Sequence, residues 1–171
     1  MLSDQVLMAV ILVILGLCHV ALGAVVHMKQ GLKIPTDTNH HRLGNLLQLG
    51  NLISCYTGRS ELDYIYYGCY CGPGGKGIPV DAADACCQVH DNCYGQVKAT
   101  GTCPFDTDPY FRTYRYTGCG SRAPAQCVPA SSYIFSGTCR AAICQCDLAL
   151  AQCLGGSPFN KQYEFYDKSS C

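Results

Sequence analysis

His90 and Asp91 stand side by side in the run Cys86-Cys87-Gln88-Val89-His90-Asp91-Asn92-Cys93-Tyr94. A short way upstream lies Tyr67-Gly68-Cys69-Tyr70-Cys71-Gly72-Pro73-Gly74-Gly75, a glycine-rich stretch with two cysteines of its own. An imidazole can take a proton near neutral pH, so His90 is a natural general base. A carboxylate beside a loop rich in free backbone carbonyls is the raw material of a calcium site. Together these residues point to hydrolysis by a calcium-assisted water, with no covalent intermediate.

Such side chains need rigid elements to hold them. Asp81 is a good helix cap, and from there to about Ala99 the chain has no proline and only Gly95 as a weak helix former, which predicts a long helix. A second long helix is predicted from about Cys139 to Leu154, before the stop signal Gly155-Gly156 and Pro158. Cys86 and Cys93 lie two helical turns apart, as do Cys146 and Cys153, so each pair faces one side of its helix. Antiparallel helices joined as Cys86–Cys153 and Cys93–Cys146 satisfy both bonds in one register. That register brings Asp147 within about a turn of His90, where a carboxylate can orient the imidazole and stabilise its charged form. Neighbouring helical residues point about 100° apart. His90 can therefore face the partner helix while Asp91 turns to a flanking loop, and the glycine-rich segment, tied on by a Cys71–Cys87 bond, is the obvious one.

Apolar residues at 46, 49, 52 and 53 give Leu43 to Cys55 one helical face, a first amphipathic helix. Residues 56 to 80 are rich in Gly, Tyr and Pro and read as loop. Residues 103 to 138 read as irregular, with a small β-hairpin between Tyr114 and Tyr133. The expected fold is mainly α and disulfide-rich: an amino-terminal helix, a Gly-rich calcium loop, two long antiparallel disulfide-linked helices and a small β-hairpin.

The chain has 171 residues, enough for one domain and a leader, and its 15 cysteines belong to an oxidising, exported setting. Cys18 sits in the apolar leader, which leaves 14, an even number. From residue 43 onward nine Lys and Arg face ten Asp and Glu, a net charge of −1. That balance argues against nucleic-acid binding and against membrane capture driven mainly by charge. Val6 to Val26 is almost unbroken apolar sequence. It reads as a secretory signal over 1–23, with an uncleaved anchor as the competing reading. Residues 24–42 read as a propeptide ending in His40-His41-Arg42, or as a plain amino-terminal tail. The domain proper is then 43–171. No N-glycosylation sequon occurs.

The glycine-rich stretch 67–75 followed by 86–93 resembles the calcium loop and active-site helix of secreted phospholipases A2. The likeness continues at Leu46-Leu-Gln-Leu49, at Cys144-Gln-Cys-Asp147, and at Pro158-Phe-Asn-Lys161 before Cys171, so it covers roughly residues 45 to 171. The cysteine pattern is similar to that of the pancreatic and elapid-venom (group I) type. That resemblance implies the pairs Cys55–Cys119, Cys69–Cys171, Cys71–Cys87, Cys86–Cys153, Cys93–Cys146, Cys103–Cys139 and Cys127–Cys144.

Carried over residue by residue, the resemblance implies a secreted Ca2+-dependent phospholipase A2 that hydrolyses the sn-2 ester of glycerophospholipids. His90 would activate water, oriented by Asp147, with Tyr94 and either Tyr114 or Tyr116 completing the network. Asp91 would give its carboxylate to calcium, and Tyr70, Gly72 and Gly74 their backbone carbonyls. The Gly72 amide would join calcium in stabilising the oxyanion. Leu46, Leu49, Ile53, Leu150 and Leu154 would line an acyl channel, against the plain alternative of ordinary core. The expected partner is a phospholipid aggregate or membrane surface, met by a monomer, with no nucleic acid. Several features depart from the family: a short Cys55–Cys69 segment, Leu49 where Phe is usual, no Trp, and a long Cys127–Cys139 stretch carrying Tyr133-Ile134-Phe135. Tyr and Leu residues near the amino terminus and Tyr110-Phe111 could enter lipid in place of Trp. The rival reading is a non-catalytic toxin or binding protein on the same scaffold.

Overall fold

The computed structural model describes residues 45–119 and 123–171. The signal expected over 1–23 and the propeptide expected over 24–42 lie outside the described residues, as does the predicted helix start at Leu43.

Helix α1 spans Asn45–Thr57, α2 Ala82–Ala99, the one-turn α3 Asp108–Phe111, and α4 Gly137–Gly155. Strands β1 (Tyr116–Thr117) and β2 (Gln126–Cys127) form the only sheet among the described residues, antiparallel with Tyr116 opposite Cys127. The hairpin is thus far shorter than the 114–133 span that contains it. Short 3-10 turns occupy Glu61–Tyr64, Ala130–Ser132, Lys161–Tyr163 and Lys168–Ser170. The segment read as loop therefore carries one such turn, and α1 runs two residues further than expected.

Helix α2 begins where Asp81 accepts a hydrogen bond from the Asp84 amide at 2.9 Å, satisfying a donor that the first turn leaves free. Helix α4 starts two residues before the predicted Cys139. Ser136 takes a left-handed conformation (φ 53°) just ahead of it. Gly137 follows because a Cβ there would lie 2.1 Å from the Ala130 carbonyl oxygen.

Seven disulfides staple these elements, in the seven pairs that the resemblance implies. Cys86–Cys153 and Cys93–Cys146 clamp α2 antiparallel to α4, in the register their spacing allows. The interior divides in two. One part gathers Leu52, Tyr94, Tyr114, Ile143, Leu148 and Ala151 around the α1–α4 contact. The other gathers Ile53, Tyr64, Tyr67, Leu150 and Leu154 under the glycine-rich loop.

The contact at Gly137 can be checked against a neutral glycine. Gly137→Ala should cost about 1–3 kcal/mol of unfolding free energy, because its methyl meets backbone that cannot move aside. Gly95, inside α2, has nothing within 4 Å of a built Cβ. Gly95→Ala should instead stabilise by up to about 1 kcal/mol through helix propensity. Denaturant unfolding of both variants with disulfides intact is the measurement, and equal effects would contradict the packing.

Candidate functional site

Two stripes of α2 divide its labour. Cys86, His90, Cys93 and Tyr94 face α4, at helical spacings of four, three and one. Asp84, Cys87 and Asp91, spaced three and four apart, face the glycine-rich loop. His90 Nε2 lies 2.8 Å from Asp147 Oδ1. The Tyr94 hydroxyl donates to the same oxygen at 2.6 Å, and the Tyr114 hydroxyl to Asp147 Oδ2 at 2.7 Å. Asp147 has no exposed surface, so its carboxylate has exchanged water for these three donors. With Nε2 donating to a carboxylate, the lone pair falls on Nδ1, the nitrogen left to accept a proton from water. The His90 and Tyr94 rings pack at 4.2 Å between centroids. Burial first, then the Asp147 charge, pushes the Tyr94 and Tyr114 phenols far above their ordinary value, so both stay protonated as donors.

The choice left open between Tyr114 and Tyr116 falls on Tyr114. Gln48 of α1 decides it by holding the Tyr114 backbone from both sides. Its Nε2 donates to the Tyr114 carbonyl, and its Oε1 accepts from the Tyr114 amide at 3.0 Å. Spacing assigns Gln48 no role, although a polar residue four before Leu52 on the buried face is the available signal.

On the loop side, Gly72 has φ 85°, and a Cβ there would lie 1.8 Å from the Ile65 carbonyl oxygen, so only glycine fits. The Asp91 carboxylate sits against Gly75, with Oδ2 2.6 Å from where a Cβ would be. Desolvation raises the Asp91 pKa above its usual value, while His90, Lys168 and Lys98 pull it down. A partly desolvated carboxylate turned onto a glycine-rich backbone loop is a donor set suited to a hard cation.

Two further residues shape this loop, and neither was singled out from sequence. Asp84, buried, accepts from the amides of Cys69 (2.8 Å), Tyr70 (2.7 Å) and Val80 (3.0 Å), which pins both ends of the loop to α2. Lys168 Nζ donates to the Cys71 and Pro73 carbonyls at 3.2 and 3.0 Å. It leaves the carbonyls of Tyr70, Gly72 and Gly74, the three that the resemblance assigns to the metal, outside its grip. Lys168 is 97 residues from Cys71, and it arrives because Cys171 is bonded to Cys69.

The proposed channel residues are not all in one place. Ile53, Leu150 and Leu154 are buried together and Leu49 packs at their edge, whereas Leu46 is exposed and stands apart from that cluster.

A family model described as phospholipase A2 matches residues 46–164. The chain belongs to the phospholipase A2 family. Phospholipase A2 AP-PLA2-II of Acanthaster planci is 43% identical over 136 residues, covering 74% of this chain and 85% of its own length. Phospholipase A2 A2-actitoxin-Cgg2a of Condylactis gigantea is 43% identical over 126 residues, covering 72% of this chain and 98% of its own. In this phospholipase A2 fold the Cys55–Cys119 bridge, which the resemblance attaches to the pancreatic and elapid type, is formed.

Removing the Tyr114 hydroxyl leaves the buried Asp147 carboxylate one donor short. Tyr114→Phe should lower unfolding free energy by about 1–3 kcal/mol. Asp84→Ala strands three amides and should cost at least as much. Denaturant titration reads both, and a loss below about 0.5 kcal/mol in either variant would contradict the network drawn here.

Proposed function

We propose that the protein is a secreted, calcium-dependent phospholipase A2 that hydrolyses the sn-2 ester of glycerophospholipids to lysophospholipid and free fatty acid. The observation that carries this reading is the His90–Asp147 contact at 2.8 Å on one side of α2, with Asp91 turned to the glycine-rich loop on the other. Membership of the family and the names of its relatives support the activity. Seven disulfides support an extracellular setting. The catalytic domain is assigned to 43–171, preceded by a leader and a propeptide.

In this mechanism His90 Nδ1 takes a proton from water as the water oxygen attacks the sn-2 carbonyl carbon. Asp147, fixed by Tyr94 and Tyr114, stabilises the imidazolium that results. The Gly72 amide donates to the carbonyl oxygen as negative charge develops there. The imidazolium then returns the proton to the departing glycerol oxygen, so no bond to the enzyme is ever formed. Asp91 and the backbone carbonyls of Tyr70, Gly72 and Gly74 would hold Ca2+, which when bound supplies positive charge beside the developing oxyanion. Asp84 and Lys168 brace the loop that carries these groups.

His90→Gln should reduce hydrolysis by on the order of a thousandfold while calcium binding, read by titration calorimetry, survives. Asp91→Asn should weaken calcium binding by about a hundredfold or more, and hydrolysis with it. Substantial turnover by the first variant, or calcium-responsive turnover by the second, would overturn the assignment. Lys168→Met should weaken calcium binding about tenfold, as the loss of an outer partner does. Removing a nearby positive charge acts in the opposite direction, so unchanged or tighter binding would contradict the bracing role.

A further inference from the structure

The long Cys127–Cys139 stretch has no part in the chemistry above, yet it is built with care. Its tip carries Ile134 and Phe135, 91% and 78% exposed, adjacent apolar side chains with nothing covering them. The backbone beneath is rigidly held. The Tyr133 hydroxyl accepts from the Arg115 amide at 2.7 Å and donates to the Arg115 carbonyl at 3.3 Å. The Arg115 and Arg140 guanidinium groups stand over the Tyr133 ring at 4.6 and 5.7 Å. Arg115 also donates to the Ser132 carbonyl, and Arg140 Nε to the Phe135 carbonyl at 3.3 Å. Arg112 donates to Ser136 Oγ at 3.1 Å but is paired with Asp108. Among the described residues, neither Arg115 nor Arg140 has a carboxylate partner.

We propose that this tip, Ile134 and Phe135 flanked by Arg115 and Arg140, seats the protein on the surface of an anionic phospholipid bilayer. An apolar pair that enters the acyl boundary beneath a collar of guanidinium groups suits such a surface, because apolar burial and attraction to anionic headgroups act together. Two hydrogen bonds link the tip to two of the other segments that expose apolar side chains. Arg112 to Ser136 joins it to the segment of Tyr110 and Phe111, the latter 73% exposed. Asn45 to the Pro109 carbonyl joins that segment to α1, where Leu46 and Leu47 are exposed. Tyr110 in turn packs edge-on against Tyr94, whose ring touches His90. A second copy of this chain is a poorer occupant, since a two-fold contact at the tip would bring four unpaired guanidinium groups together.

The proposal rests on phospholipid being the substrate, and the test keeps the two apart by using vesicles that cannot be hydrolysed. Partition of the whole protein, in calcium, is measured onto vesicles of ether-linked phosphatidylcholine with and without ether-linked phosphatidylserine. The wild type should prefer the anionic vesicles and lose that preference as salt is raised. Ile134→Ser/Phe135→Ser should reduce partition onto anionic vesicles by about ten- to a hundredfold, with circular dichroism and thermal midpoint preserved. Undiminished partition of the double variant would overturn the proposal, as would equal wild-type affinity for both vesicle types. So would a wild-type dimer in solution that the double substitution dissolves. Hydrolysis of monomeric short-chain phosphatidylcholine by the wild type reads the enzymatic reading independently of the tip.

Discussion

The Asp147 carboxylate is a charge with no access to water, and such a group costs several kcal/mol unless donors replace its hydration. Three donors do so, and they come from separate parts of the chain: His90 and Tyr94 from α2, Tyr114 from the segment before β1. The arrangement holds only if α2, α4 and that segment keep their places to within a fraction of an ångström. Two disulfides fix α2 against α4, and Gln48 fixes the Tyr114 backbone to α1. A chain of this size, with its apolar interior divided into two clusters, gains from such staples what a larger core would otherwise provide. The same framework that stabilises the fold therefore sets the tautomer and orientation of the His90 ring.

The loop face of α2 repeats this logic with the polarity reversed. There a buried carboxylate, Asp84, gathers backbone amides, while an ammonium, Lys168, gathers the Cys71 and Pro73 carbonyls. Between them the loop is held by charge-assisted hydrogen bonds from two sides, and Cys71–Cys87 ties its middle to the helix. Asp91 is left partly desolvated, with one carboxylate oxygen against Gly75 of the loop. A loop held in this way would lose little further freedom on binding the proposed cation.

Most of this was legible in the sequence because helix geometry converts spacing into direction. Cysteines two turns apart on each long helix had one antiparallel register available, and that register put Asp147 near His90. Adjacent residues on a helix diverge, so His90 and Asp91 had to serve different faces. What was not legible has physical reasons too. Tyr114 and Tyr116 alternate with Arg115 on an extended segment, and spacing alone gives both the same direction. Gln48 and the start of pairing at Tyr116 distinguish them. Lys168 reaches the loop only through closure of the Cys69–Cys171 bond, a long-range constraint that no local pattern carries. Periodicity placed Leu46, Leu49 and Ile53 on one helical face and the resemblance added Leu150 and Leu154, but neither could sort exposed Leu46 from buried Leu154.

In the proposed mechanism, water activated at His90, beside a cation held by Asp91 and the loop, cleaves one particular ester. The most direct test supplies a phospholipid carrying different labelled chains at its two ester positions, in mixed micelles, to the correctly oxidised protein. The sn-2 chain alone should be released in calcium, with release stopping when a chelator is added and resuming when calcium is restored. Release from both positions, or release that persists through chelation, would contradict it.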